Sequence, residues 1–283
     1  MQDRETNNHP HLGPCGAAKL RKKSSREVSV NVGSILKKLL AGEIKMMEAE
    51  RRLVALNVRR IRELAKLDVG RAHRIGVPEV VLAEGKGPKI VSEAAVALAN
   101  TNGYALVTRL NRSQLGEIKR NTRRRFDLEI NQQARAVLIK RKGHAFPVYG
   151  KIGVLAAGTA DVSVAEEAGL AARVMGCKVA KAYDVGVAGI HRLFRPLERM
   201  IEEGVSVVIV VAGMEGTLPS IVSSLIDIPV VGVPTSVGYG VGLKGIGALV
   251  TMLQTCSPKL AVVNIDNGFG AGVFAASVAK RSK

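Results

Sequence analysis

Two hydrophobic rhythms divide this chain. Between Gly33 and Lys66 the apolar positions Ile35, Leu39, Ile44, Met47, Leu53, Leu56, Ile61 and Leu64 recur at helical spacing. That spacing predicts two amphipathic helices meeting near Gly42. Residues 77–82 are apolar and β-branched and predict a strand, followed by the turn Glu84-Gly85-Lys86-Gly87-Pro88. A helix over 90–99, a strand over 104–108, a basic helix or loop over 114–125 and a last strand over 136–139 complete this half. The stretch Gly143-His144-Ala145-Phe146-Pro147 marks a boundary.

Beyond Lys151 the rhythm changes. Strand-like runs rich in Val and Ile fall at 152–156, 179–183, 205–211, 230–233 and 260–265, with helical patterns at 162–175, 190–203, 218–226, 243–253 and 269–280 between and after them. Continuous apolar strands alternating with helices predict a parallel sheet covered on both faces. The expected architecture is a three-layer, flavodoxin-like doubly wound α/β domain over 148–283. A smaller basic helical and α/β domain over 31–147 precedes it, and a disordered basic tail occupies 1–30. In such a sheet, ligands collect outside the carboxyl ends of the strands.

Charge sharpens the division. Residues 1–150 carry 30 Lys and Arg against 14 Asp and Glu, a net of +16, whereas 151–283 carry 12 against 10, a net of +2. The overall +18 invites a nucleic-acid reading, but aromatic residues are only 3% and Trp is absent, so stacking platforms are scarce. No apolar run is long enough to cross a bilayer, and the polar, basic first residues hold no secretory signal. The three cysteines, Cys15, Cys177 and Cys256, show no paired spacing, which points to reduced thiols in the cytoplasm and away from a zinc site.

Candidate chemistry sits after the predicted strands. Ala157-Gly158-Thr159-Ala160-Asp161 opens a helix, where glycine lets backbone amides approach an anion. Asp161 is read there either as a helix cap or as a catalytic carboxylate. After the second strand, His191-Arg192 begins a helix and can bind carboxylate or phosphate, or simply decorate the surface. After the third, Gly213-Met214-Glu215-Gly216 places Glu215 at the end of a very apolar run. Partial desolvation there would raise its pKa and suit a general base. After the fourth, Pro234-Thr235-Ser236-Val237-Gly238-Tyr239-Gly240 is a hydroxyl- and glycine-rich loop able to cradle an anion. Cys256 follows a helix, and the ordinary fate of such a lone cysteine is burial.

Together these segments resemble the aminoimidazole ribonucleotide carboxylases of purine biosynthesis over roughly residues 150–270. Three departures stand out: Ala160-Asp161 where that family has Ser-Asp, Leu193-Phe194 after the His-Arg pair, and Thr217 before Leu218-Pro219. They match better a sister family, the pyridinium-3,5-biscarboxylic acid mononucleotide synthases (LarB) of nickel-pincer cofactor assembly. That likeness rests on Gly158–Asp161, Gly189-Ile190-His191-Arg192, Gly213–Gly216, Pro234–Gly240 and Met252-Leu253-Gln254-Thr255-Cys256. Asn264-Ile265-Asp266-Asn267-Gly268-Phe269-Gly270 and Gly70-Arg71-Ala72-His73-Arg74-Ile75-Gly76 extend it over about residues 44–279.

The resemblance implies carboxylation of nicotinic acid adenine dinucleotide at pyridinium C5 by CO2 or bicarbonate, with hydrolysis of the pyrophosphate to release AMP. It implies Cys256 as the thiolate that adds to the ring, Glu215 as general base and Asp161 as the alternative base. Gly158, Thr159, Gly213, Thr235, Ser236, His191 and Arg192 would hold anionic groups of the substrate. Arg71, Arg74, Lys86 and Arg109, at the ends of predicted elements, would meet the adenylate and pyrophosphate, their plainer reading being a solvated face. No tightly bound cofactor or metal ligand set is expected, with Mg2+ a candidate for the hydrolytic step. A homo-oligomer, an octamer by the same resemblance, is expected, with no membrane or nucleic-acid partner. The purine-type carboxylase or mutase reaction and a nucleic-acid-binding role stand as alternatives.

Overall fold

A computed structural model describes residues 26–55, 59–61 and 65–282. The chain forms two compact units, one up to Leu53 and one from Val54 onward. The first contains α1 (Arg26–Leu40) and most of α2 (Met46–Ala55), so helix already begins inside the expected tail. Residues 1–25, and Cys15 with them, lie outside the described residues. The expected second helix was to run to residue 66. Instead a short antiparallel pair, β1 (Arg59–Ile61) and β2 (Ala65–Leu67), takes up its end.

The first part of the larger unit continues through α3 (Arg71–Ile75), β3 (Val81–Leu82), α4 (Pro88–Asn102), β4 (Tyr104–Thr108), α5 (Arg112–Thr122), β5 (Phe126–Asn131) and β6 (Ala136–Arg141). The sheet order is β3-β4-β6-β5, with β3 parallel to β4 and the other pairs antiparallel. Only Val81 and Leu82 of the expected 77–82 strand pair with a neighbour. Segment β5, Phe-Asp-Leu-Glu-Ile-Asn, was not expected as a strand. Asn111 and Gln114 close a capping box that starts α5, and the buried Gln114 amide also donates to the carbonyls of Ala83 and Lys86.

The second part alternates β7 (Gly150–Ala156), α6 (Val162–Val174), β8 (Cys177–Ala182), α7 (His191–Glu202), β9 (Val207–Ala212), α8 (Leu218–Leu225), β10 (Val230–Pro234), α9 (Ile246–Leu253), β11 (Leu260–Val262) and α10 (Gly268–Ala279). All five strands are parallel, in the order β11-β10-β9-β7-β8. This is the flavodoxin-like winding expected from the apolar runs. Strand β9, Val-Val-Ile-Val-Val-Ala, is buried throughout because helices cover both its faces. Among the described residues, no helix is long and apolar enough to cross a membrane.

One packing detail positions the site. Helices α6 and α10 meet through Ala165, Ala168, Ala172, Ala271, Ala275 and Ala276, all buried in one core. A Cβ on Gly272 would fall 2.2 Å from the Ala168 carbonyl oxygen, and one on Gly268 2.3 Å from that of Val164. The two helices approach at backbone distance only because these positions are glycine. The start of α10 is thereby locked against the helix that carries Asp161 at its head.

Candidate active site

The order of the five strands reverses at β7, between β8 and β9, and a doubly wound sheet opens a crevice at that point. A cleft of about 490 Å3 lies there, with walls formed by the loops after β7, β8 and β9 and by Val237 of the loop after β10. Gly158, Thr159, Asp161, Asp184, Arg192, Gly213, Met214, Glu215 and Val237 all line it.

Asp161 is the chemical centre of the cleft. It does not cap α6. Its carboxylate turns inward, accepting the Gly158 N–H at 2.9 Å and the Thr235 hydroxyl at 2.7 Å. Thr235 is fully buried behind it and Asp161 is 4% exposed. Burial pushes the Asp161 carboxyl above the usual aspartate range, opposed by hydrogen bonds from Thr235, Gly158 and Gly213, with nearby Asp266 adding to the rise. Gly213 has to be glycine for this geometry. A Cβ there would sit 2.4 Å from the Val237 carbonyl, 2.6 Å from Thr235 Oγ1 and 3.2 Å from Asp161 Oδ1.

Arg192, at the start of α7, also lines the cleft; its partly exposed guanidinium pairs with Asp184. Asp184, Met214, Leu243, Lys244 and Asp266 all hold positive φ at strand-end loops. Backbone strain of this kind concentrates where side chains are aimed at a ligand.

The cleft unites Gly158, Thr159, Asp161, Arg192, Gly213 and Glu215, backs them with Thr235, and sets Ser236 beside them in the adjoining loop pocket. Other expected residues fall elsewhere. Glu215 lines the cleft but is exposed, so the desolvation expected of it belongs to Asp161. His191 is exposed outside the lining. Arg71 pairs with Glu79 at 3.2 Å, Arg74 with Asp68, and Lys86 with the Leu82 carbonyl; none lines the cleft. Cys177 is buried in the core, where burial pushes its thiol up.

Cys256 is exposed in the segment between α9 and β11. This is the amino end of the sheet, and a single chain does not carry that sulfur into its own cleft. The signal was in the sequence: Cys256 follows a helix, and in a βα alternation only residues following a strand reach the carboxyl end. The same rule picks out Asp184 and Asp266, each beyond the carboxyl end of a strand. Among the described residues, no group of three or more His, Cys, Asp or Glu is placed to hold a metal.

Two family models match successive parts of the chain. Residues 59–142 match the LarB/PurE-like N-terminal domain, and residues 151–283 match the AIR carboxylase family. An uncharacterized protein of Methanocaldococcus jannaschii is 47% identical over 252 residues, 88% of this chain and 97% of that protein. The chain belongs to the LarB family. Its carboxylase half is also similar to the N5-carboxyaminoimidazole ribonucleotide mutase of Thermotoga maritima, 28% identical over 133 residues, which are 45% of this chain and 74% of that protein. A probable mutase of the same kind from Methanothermobacter thermautotrophicus is 35% identical over 101 residues, 34% of this chain and 29% of its own length. This LarB-family chain is therefore an enzyme of the carboxylase and mutase group.

Proposed function

We propose that the protein carboxylates the pyridinium ring of nicotinic acid adenine dinucleotide at C5 and cleaves its pyrophosphate, yielding the biscarboxylated mononucleotide and AMP. The buried Asp161 carboxylate, hydrogen-bonded to Thr235 at the floor of the cleft, carries this reading. Desolvation raises its basicity above that of an ordinary aspartate, which suits a general base. Arg192 lines the same cleft and suits a substrate carboxylate or phosphate.

The ring needs a nucleophile before it can attack CO2. A thiolate adding to C4 converts the cation to a neutral dihydropyridine, whose C5 is an enamine carbon. C5 then bonds to CO2, Asp161 removes the C5 proton, and the C–S electron pair returns to sulfur as aromaticity is restored. Cys256 supplies that thiolate in this reading, with Glu215 at the rim as a second proton acceptor. Water then attacks the pyrophosphate and AMP leaves.

Because Cys256 lies outside its own cleft, a second copy has to deliver it. Exposed apolar side chains support this. Ile246, Val250 and Leu253 repeat along one side of α9, continuous in sequence with Leu243, Val241 and Tyr239 of the loop after β10, which are 71%, 95% and 84% exposed. A contiguous apolar face of that kind marks an interface. Packing α9 antiparallel against its own copy about a two-fold axis brings the end of one helix, and Cys256, beside the other copy's strand-end loop. Helix α9 has eight residues, about 12 Å of axial rise, so the offset is short.

The test is incubation with nicotinic acid adenine dinucleotide and isotopically labelled bicarbonate. Labelled biscarboxylated mononucleotide plus AMP is expected. Turnover of aminoimidazole ribonucleotide instead would assign the purine-type reaction.

A further inference from the structure

The amino-terminal part of the larger unit supplies no wall of the cleft, yet it grips α6, which begins directly after Asp161, and the Asp266 turn, which bonds to the loop carrying Thr235. Two adjacent carboxylates on α6, the helix that starts beside Asp161, take part. Glu166 accepts the Asn131 amide of β5 at 2.5 Å and the Lys181 ammonium at 2.9 Å. Glu167 is buried, with hydrogen bonds from the Thr108 hydroxyl at the end of β4 and from the Phe269 N–H at the start of α10.

Arg109, the residue after β4, lies at the centre of these contacts. Its Nε is 3.7 Å from Glu167 Oε1, its Nη1 donates to Glu84 at 3.2 Å, and its Nη2 donates to the Asp266 carbonyl at 2.7 Å. Asp266 holds a φ of +55°, an uncommon conformation for a residue with a Cβ. Its own N–H donates to the Pro234 carbonyl at 2.9 Å, and its Oδ1 accepts the Ser236 N–H at 2.8 Å. Ser236 directly follows Thr235, the donor to Asp161. An unbroken path of covalent and hydrogen bonds therefore runs from Arg109 through the Asp266 turn to the base of the cleft.

We infer that Arg109 is a positioning residue: through it the amino-terminal domain sets the Asp266 turn and, by way of the Ser236 amide, the loop that carries Thr235. A strained turn persists only where its surroundings over-determine it, and the guanidinium is one of three restraints on Asp266. Geometry favours arginine here. Three acceptors on three different elements face one planar fork, which a lysine ammonium cannot span. This inference rests on the proposed carboxylation only for its kinetic readout.

The experiment compares full-length Arg109→Ala and Arg109→Lys with the parent chain. In Arg109→Ala, kcat for carboxylation is expected to fall about 10- to 100-fold, the scale of a sub-ångström to 1 Å misplacement of a catalytic group. The Kd for the dinucleotide should stay within about 3-fold, and added guanidinium ion should recover part of kcat. Arg109→Lys should not recover it. Hydrogen exchange at the Ser236 amide gives a readout independent of activity: its protection should drop in Arg109→Ala and return with guanidinium. A weakened Kd with unchanged kcat would make Arg109 a substrate-binding residue and overturn the inference, as would unchanged Ser236 exchange. If the parent chain makes no carboxylated product while the exchange result holds, the proposed reaction fails and the positioning role stands.

Discussion

Placing Cys256 and Asp161 at opposite ends of the sheet in each chain has a quantitative consequence. If every working site combines the cysteine of one copy with the aspartate of another, Cys256→Ala and Asp161→Asn enzymes should each be inactive but should complement. With equal co-expression and random assembly, a site has probability one half of drawing an intact Cys256 from one copy. It has the same probability of drawing an intact Asp161 from its neighbour, so about one quarter of sites carry both, whatever the symmetry of the assembly. The expected carboxylation rate per site is therefore about 25% of the parent rate. The assay is labelled-bicarbonate incorporation with nicotinic acid adenine dinucleotide, on co-expressed material and on each variant alone. Refolding as separate assemblies gives nothing, so native mass spectrometry of the mixed species is the companion measurement. Mixed assemblies present but inactive would refute delivery of Cys256 from a second copy. Full activity of Cys256→Ala alone would remove the thiol from the mechanism.

Further outcomes follow from the same geometry. A base held above the ordinary aspartate range stays protonated to higher pH, so the acid limb of kcat/KM should lie above the usual carboxylate pKa; a limb at or below it would exclude Asp161 as the base. Thr235→Val removes the hydroxyl that lowers the Asp161 pKa. The limb should move further up, and near neutral pH the protein should lose about 2 kcal/mol, the scale for a hydrogen bond to a buried charged group, as read by denaturant melts. That loss should shrink as the pH falls and Asp161 becomes protonated, because the raised carboxyl then has no charge left to solvate. Gly272→Ala forces a methyl group within 2.2 Å of the Ala168 carbonyl, so α10 must shift; a destabilisation of about 1–3 kcal/mol or more is expected, and an unchanged Tm would show that this helix pair has slack.

Much of the carboxylase half was legible before the structure. Strand β4 and the alternation from β7 to α10 follow from apolar runs whose spacing is a local property, and the parallel sheet follows from their being apolar on both faces. The misses have local causes too. The β5 segment alternates apolar and charged residues but stands next to Arg123-Arg124-Arg125, whose charge masked the period-2 signal. The helical spacing up to Leu64 carries the second helix past Ala55, into the stretch where the structure sets the strands β1 and β2.

The site divides along the same line. Sequence by itself determined which residue types stand at each strand end and that the chain carries the ordered motifs of a LarB-family carboxylase. Only the tertiary structure decided which carboxylate is buried, because desolvation depends on what packs over a side chain: Thr235 and Gly213 close over Asp161, and nothing covers Glu215. Tertiary structure also put Cys256 at the far end of the sheet and tied Arg109 to the Asp266 turn, 157 residues away. Periodicity reports a residue's immediate neighbours along the chain, whereas burial and cross-domain hydrogen bonds are set by segments that meet only after the sheet has wound.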